Sequence, residues 1–358
     1  MYTNLRVFLG KGLLLHDFLQ FINELLPIIF FILFPDNEIK ILLTNPNNFE
    51  ESALEIFRFQ SENNIVYKKY IEELRIDKQQ VTSLTEIPFL PIDFFKTQII
   101  KTTDFEPELI FESSGTTQTV NSNHYVKDIS FYKKSLVEGF KKFYGSPEEW
   151  CIIGLLPSYL ERKNSSLVFM VDDLIKMSGH PKNNFYLYEF DKLSNELQQL
   201  EKIKQKTLLI GVTYALLDFA EKYSMQLKYT VVMETGGMKG RRKEITRKEV
   251  HDFLQKKFGL ASIHSEYGMT ELLSQAYSKK DGIFECVPWM KVLIRNEDDP
   301  FDVFFTGTGN INIIDLANIY SCSFIATDDS GKIFDDGSFE ISGRIDGSDL
   351  RGCNLLVV

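Results

Sequence analysis

Apolar positions recur along this chain in two rhythms, and the change from one to the other marks its organisation. Over 45–74, the stretch FEESALEIFRFQSENNIVYKKYIEEL places Phe49, Ala53, Ile56, Phe57 and Tyr67 at helical spacing with acidic residues early. That pattern predicts two helices meeting near Asn63 and Asn64. IPFLPIDFF (87–95) follows, and its two prolines block a helix interior and predict an extended connection. Thereafter one order recurs: a short apolar run, a polar or glycine-bearing turn, then a helical period. It is seen in ELIFESSGTT (108–117), CIIGLLPS (151–158), TLLIGVTY (207–214), YTVVMETGG (229–237) and ASIHSEYGMTE (261–271). Strands alternating with helices require crossover connections, so the expected fold is α/β with a mostly parallel sheet flanked by helices. From about Asp302 the pieces shorten and become β-rich, with Asp336 and Gly337 as a hairpin signal. A small antiparallel subdomain over about 302–342 is predicted there.

In open parallel sheets ligands sit beyond the carboxyl ends of the strands, which is where each polar turn falls. The densest of these turns holds Ser113, Ser114, Gly115, Thr116 and Thr117. Such residues serve as ordinary loop punctuation, or as a cradle in which backbone N–H groups and hydroxyls converge on an anion while glycine permits close approach. No Walker-type G-x-x-x-x-G-K-[ST] occurs in the chain.

Composition narrows the partners. A net charge of -10 over 358 residues argues against general nucleic-acid binding, which asks for a broad basic face. Cys151, Cys286, Cys322 and Cys353 are far apart and form no C-x-x-C, so neither a zinc site nor a disulfide framework is indicated and a cytoplasmic setting with free thiols is expected. LLPIIFFILF (25–34) is strongly apolar and follows Arg6 and Lys11, but Glu24, Pro27 and Pro35 confine it to less than the length that spans a bilayer. No small-residue cleavage site follows, so no stable membrane insertion is expected. Residues 1–44 read as an accessory docking helix or as an extension from an upstream start codon.

Five turns in order carry a resemblance. SSGTT (113–117), ETGG (234–237), EYGMTE (266–271), TDDSG (327–331) and GRIDG (343–347) resemble the motifs of the adenylate-forming, AMP-binding superfamily of acyl-CoA synthetases, peptide-synthetase adenylation domains and luciferases. Within it the chain is closer to the acyl-protein synthetase family, the long-chain-fatty-acid luciferin-component ligases. EIFRFQSENNIVY, IPFLPIDFFK, LPSYLERKNSSLVFM, SEYGMTELLSQAY and GRIDGSDLRGCNLL carry that likeness from about Asn45 onward. Phenylacetate-CoA ligases are the next relatives.

The resemblance implies a large AMP-binding domain over 45–342, a hinge-like tail over 343–358, and a superfamily C-terminal domain that is largely absent together with its usual lysine. It implies ATP-dependent activation of a fatty acid to acyl-AMP with release of pyrophosphate. Ser113 to Thr117 would hold the β- and γ-phosphates, although Gln118-Thr119 and Asn121-Ser122 stand where relatives have Gly and Lys, which predicts weaker phosphate binding. Thr270 would contact the α-phosphate and Glu271 would bind Mg²⁺, or serve as an acid matching a helix dipole. Tyr267, followed by Gly268, would stack on adenine opposite Gly236 and Gly237, or sit in the core. Asp329, with Asp328 as competitor, would hold the ribose hydroxyls, and Arg344 would brace the ribose or phosphate side. His124 and His264 lie beside motifs with no acid-base role assigned, and the basic run at 239–249 is a phosphate attractor or a solvated helix face. Cys353 would accept the acyl group and pass it to a partner such as a reductase or acyltransferase, or be a small buried residue of a last strand. Two other functions fit the same motifs: an acyl- or aryl-CoA ligase, and a non-catalytic, regulatory nucleotide-binding protein.

Overall fold

A computed structural model of the protein describes residues 48–113, 120–157, 164–236 and 245–344, with the side chain of Arg344 outside that description. Two helices open it, α1 (Phe49–Asn63) and α2 (Ile65–Glu73), and they part at Asn64. The Asn64 carboxamide explains the break, because its Oδ1 accepts from the backbone N–H of Val66 and Tyr67 and caps α2. After an extended passage come β1 (Leu90–Pro91) and the single turn α3 (Phe94–Thr97). A hairpin of β2 (Leu109–Glu112) and β3 (Asn123–Val126) precedes α4 (Ile129–Tyr144), which Asp128 caps.

The middle of the chain is the expected alternation. In order it runs β4 (Cys151–Leu155), α5 (Ser166–Ser178), β5 (Asn184–Tyr186), α6 (Phe190–Lys202), β6 (Thr207–Val212), α7 (Thr213–Lys222), β7 (Thr230–Thr235), α8 (Arg247–Phe258) and β8 (His264–Tyr267). These strands pair in parallel in the order β5-β4-β6-β7-β8. Every residue of β4 and β6 is buried, as central parallel strands covered on both faces require. The antiparallel strands β9 (Ala276–Ser278) and β10 (Glu285–Cys286) complete a seven-stranded sheet.

A second, six-stranded sheet joins β11 (Met290–Arg295), β12 (Val303–Phe304), β13 (Gly307–Asp315), β14 (Phe324–Ile333) and β15 (Phe339–Arg344) to β1. All of its pairings are antiparallel except β1 with β14, so Leu90 and Pro91 meet Ile325 and Ala326 across more than half the chain. The turn between β14 and β15 lies at Asp336 and Gly337, with Gly337 at a φ of 82° that favours glycine. Two cores result. One packs α1, α2 and the β1 region on the six-stranded sheet, and the other packs α5 to α8 on the seven-stranded sheet. Helix α4 serves both, giving Phe131 and Tyr132 to the first and Leu136, Phe140 and Tyr144 to the second.

Two local expectations change. The apolar run before SSGTT, Leu109–Glu112, is the first arm of a hairpin and not a strand leading into a helix, because NHYV at 123–126 returns antiparallel to it. The chain after EYGMTE likewise turns back into antiparallel β9 where a helix was expected. Among the described residues no helix is long and apolar enough to cross a membrane.

Candidate active site

The neck of the β2–β3 hairpin is closed by Ser113, whose N–H donates to the Ser122 carbonyl (3.0 Å) while its Oγ accepts from the Ser122 N–H (2.8 Å). Two residues past that neck, on β3, His124 turns inward, and its Nδ1 lies 2.8 Å from the carbonyl oxygen of Thr270. Thus the base of the serine- and threonine-rich loop touches the turn that follows β8. Glu271 is 1% exposed, and its carbonyl accepts from Asn318 Nδ2 at 2.7 Å. The chain just past Glu271 is held by Asp315, which accepts from the N–H groups of Leu273 (2.8 Å) and Ser274 (3.1 Å) and from Ser274 Oγ (2.6 Å). Burial pushes the Asp315 carboxyl up to about 6 against the pull of these donors.

Tyr267 brings in the second sheet. Its hydroxyl donates to Asp329 Oδ2 at 2.8 Å, and both residues are 1% exposed. Phe284 and Phe339 approach the Tyr267 ring at 59° and 80°, so neither lies parallel to it. Asp329 sits opposite Arg344 in the β14–β15 ladder, beside an irregularity at Ser330 and Gly331. Its strand is fixed from below by Arg295, whose guanidinium donates to the carbonyls of Ile311 (2.9 Å) and Thr327 (2.5 Å) and to Asn312 Oδ1 (2.8 Å). The Thr327 hydroxyl then accepts from the Asp329 N–H at 3.1 Å.

Two buried glutamates occupy opposite faces of the seven-stranded sheet at its carboxyl edge. Glu266 faces α4 and accepts from Thr235 Oγ1 at 2.5 Å. Burial pushes its carboxyl up to about 7, the Thr235 hydrogen bond lowers it, and nearby Glu234 raises it further. Its Oε1 fills the space where a Cβ on Gly268 would stand, which is a steric reason for glycine in EYGMTE. Glu234 faces α8. Burial works against its charge too, but His251 and Arg247 beside it prevail and hold the carboxyl below its usual range. Arg247 Nε lies 3.3 Å from Glu234 Oε1, its Nη1 donates to the Ile341 carbonyl (3.1 Å), and its guanidinium covers the Phe284 ring. Ser265, His251 and Glu234 do not form a nucleophilic triad, since serine and carboxylate both approach the same Nε2 (3.3 and 3.6 Å) in the interior. Gly236 leaves β7 at a φ of 73°, and its carbonyl accepts from Thr213 Oγ1 at 2.6 Å.

Solved structures with this architecture bind nucleotides and acyl adenylates. 2-Hydroxyisobutyryl-CoA ligase, in an open conformation in complex with 2-HIB-AMP and CoA, superposes with a TM-score of 0.62 at 12% identity, over 83% of this chain and 69% of that one. The fold is that of the adenylate-forming enzymes. The same ligase in its postadenylation state with R3-HIB-AMP gives 0.58 at 12% identity, over 83% and 67%. ATP-bound MatB from Rhodopseudomonas palustris gives 0.50 at 16% identity over 68% of this chain, which spans about half the length of MatB (50%). No protein-family model and no curated protein matches the chain.

The adenylate-forming fold brings Ser113, Gly236, Tyr267, Gly268, Thr270, Glu271 and Asp329 to the region where β7, β8 and β14 meet the hairpin. Ser114, Gly115, Thr116, Thr117, Gly237 and Cys353 lie outside the described residues, and of Arg344 only the backbone is described. His264 stands at the opposite, amino end of β8, against Tyr144 Oη (3.2 Å), and burial lowers it to about 4. Arg295, Asn318 and Asp315 were not legible as site residues, because each acts through partners distant in sequence.

Proposed function

We propose that this chain activates a fatty carboxylate with ATP and then carries the acyl group on Cys353 toward a partner protein. In the first step a carboxylate oxygen bonds to the α-phosphorus of ATP, the bond to the bridging oxygen breaks, and pyrophosphate leaves. Two anions must meet, so positioning and charge neutralisation supply most of the acceleration. The hairpin loop would grip the β- and γ-phosphates through N–H groups and hydroxyls, with Thr270 beside the α-phosphate and Asp329 at the ribose. In the second step the Cys353 thiolate bonds to the acyl carbon and AMP departs.

The observation that carries the reading is the meeting of three motifs far apart in sequence: His124 to Thr270 joins the hairpin to EYGMTE, and Tyr267 to Asp329 joins EYGMTE to TDDSG. The fit of Mg²⁺ is tested by the donors at hand. Among the described residues no group of three or more His, Cys, Asp or Glu could hold a metal ion. A single carboxylate, Glu271, suits Mg²⁺ that arrives on the triphosphate and takes most ligands from phosphate and water. When bound, the ion would supply neutralisation of phosphate charge.

The experiment is fatty-acid-dependent ATP–pyrophosphate exchange on wild type and Cys353→Ser, with labelled acid. Exchange in both, with label retained by wild type alone, supports the reading. Label retained equally by Cys353→Ser sinks the carrier role, and thioester formed only on added coenzyme A favours a CoA ligase. Absence of exchange with every acid tried leaves a nucleotide-binding protein without this chemistry.

A further inference from the structure

We infer that His124 is a positioning residue that sets the Thr270–Glu271 turn against the phosphate hairpin. The inference rests on the nucleotide site proposed above. The imidazole is 1% exposed and is held edge-on by Phe95, with ring centroids 6.1 Å apart at 88°. A carbonyl oxygen only accepts, so the 2.8 Å contact with Thr270 requires the proton on Nδ1 and leaves Nε2 of the neutral ring as an acceptor. That Nε2 and the Asn318 Oδ1 are both buried without a hydrogen bond. Turning the Asn318 amide over would not help, because its Nδ2 is committed to the Glu271 carbonyl at 2.7 Å.

Consecutive carbonyls are therefore clamped by side chains from two distant parts of the chain. Thr270 is held by His124 from β3, and Glu271 by Asn318 from the turn between β13 and β14. Fixing two successive peptide planes fixes the direction in which the Glu271 side chain leaves the backbone between them, and anchors one of the two planes that flank Thr270. Burial favours the neutral ring, while the Thr270 carbonyl, the Glu271 carboxylate and the Asn318 side chain favour its protonation. The ring keeps its Nδ1–H donor in either state. Because His124 lies on the strand that closes the hairpin, any shift of the loop's base is transmitted to the turn through one imidazole.

Two readouts test this, ATP–pyrophosphate exchange resolved into kcat and KM for ATP, and nitrogen NMR of the five histidines, with His124 assigned by its loss in H124N. Neutral His124 is expected as the Nδ1–H tautomer. H124F is expected to lose about 100-fold in kcat, the scale of a misplaced reacting group. H124N offers an amide N–H near the Nδ1 position and is expected to retain at least about tenfold more exchange than H124F, the size of one hydrogen bond. N318A, which frees the second carbonyl, is expected to lower kcat without altering the His124 tautomer. An Nε2–H tautomer, or H124F exchanging as wild type does, overturns the inference. Should wild type exchange with no acid, the proposed function falls separately, and His124 is judged by calorimetry with MgATP: tighter binding by H124N than by H124F sustains its role, and equal binding overturns it. If H124F does not fold, H124N, N318A and the tautomer decide.

Discussion

Replacing Glu266 by glutamine should stabilise the protein, by an amount that grows as pH rises from about 4.5 and is complete above about 7. Glu266 is 8% exposed, accepts one hydrogen bond from Thr235, and has Glu234 on the neighbouring strand; its carboxyl is pushed up to about 7 from an ordinary 4.5. Burial first, and then the Glu266 charge, hold Tyr132, Tyr144 and Tyr277 on the same face more firmly protonated. Between pH 4.5 and 7 the folded state keeps a proton that the unfolded state has released, so stability is greatest below 4.5 and falls as pH rises through 7. At about 1.4 kcal/mol for each tenfold change in proton affinity, the span from 4.5 to about 7 amounts to about 3 kcal/mol lost by pH 8. Glutamine imitates the protonated acid at every pH and escapes the loss. Urea unfolding of both proteins at pH 5 and pH 8 measures it, and the advantage of E266Q should grow by about 2 to 3 kcal/mol between the two. Parallel stability curves for the two proteins would refute the reasoning, because they would mean that Glu266 takes its charge at no cost.

Two further substitutions probe the contacts between the sheets. R247M leaves Glu234 buried without its guanidinium and frees the Ile341 carbonyl; it should cost about 3 kcal/mol or more by urea unfolding, most fully above pH 4.5 where an unfolded glutamate is charged, and less as acid neutralises Glu234. A loss below about 1 kcal/mol at pH 7 would show the pair to be effectively solvated. Y267F deletes the donor to Asp329 and should cost about 2 kcal/mol, the worth of a hydrogen bond to a buried carboxylate, while raising KM for ATP in the exchange assay. Unchanged stability together with unchanged KM would remove Tyr267 Oη from the account.

The parts of the fold visible in the sequence are those whose cause is local. Asn64 breaks the first two helices through hydrogen bonds to residues two and three places on, and β4 and β6 read as strands because burial on both faces makes them continuously apolar. The β2–β3 hairpin was hidden because its return strand, NHYV, is short and half polar, with helical spacing starting soon after it. Motif residues were legible as types at spacings, whereas the groups that orient them were not. His124 meets Thr270 across 146 residues and Arg295 meets Thr327 across 32, and nothing near either in the chain announces the partner. Glu266 drew notice only as part of a motif, and its unusual proton affinity comes from α4 and β7 packing around it.

The junction of the first helices with the six-stranded sheet sets an order of events during synthesis. Gln60 is hydrogen-bonded on both sides of its amide to the segment 318–323, and Ser323 lies 263 residues further along the chain. The seven-stranded sheet, by contrast, is drawn from one continuous stretch between Cys151 and Cys286. At about 5–20 residues per second, α1 and α2 leave the ribosome roughly 10 to 50 s before the strand that covers them exists. Phe57 and Tyr67, fully buried in the finished protein, spend that interval without Phe324, the ring they pack on. The last sheet to close is thus the one that covers helices made long before it, and until then their apolar faces stay open to solvent.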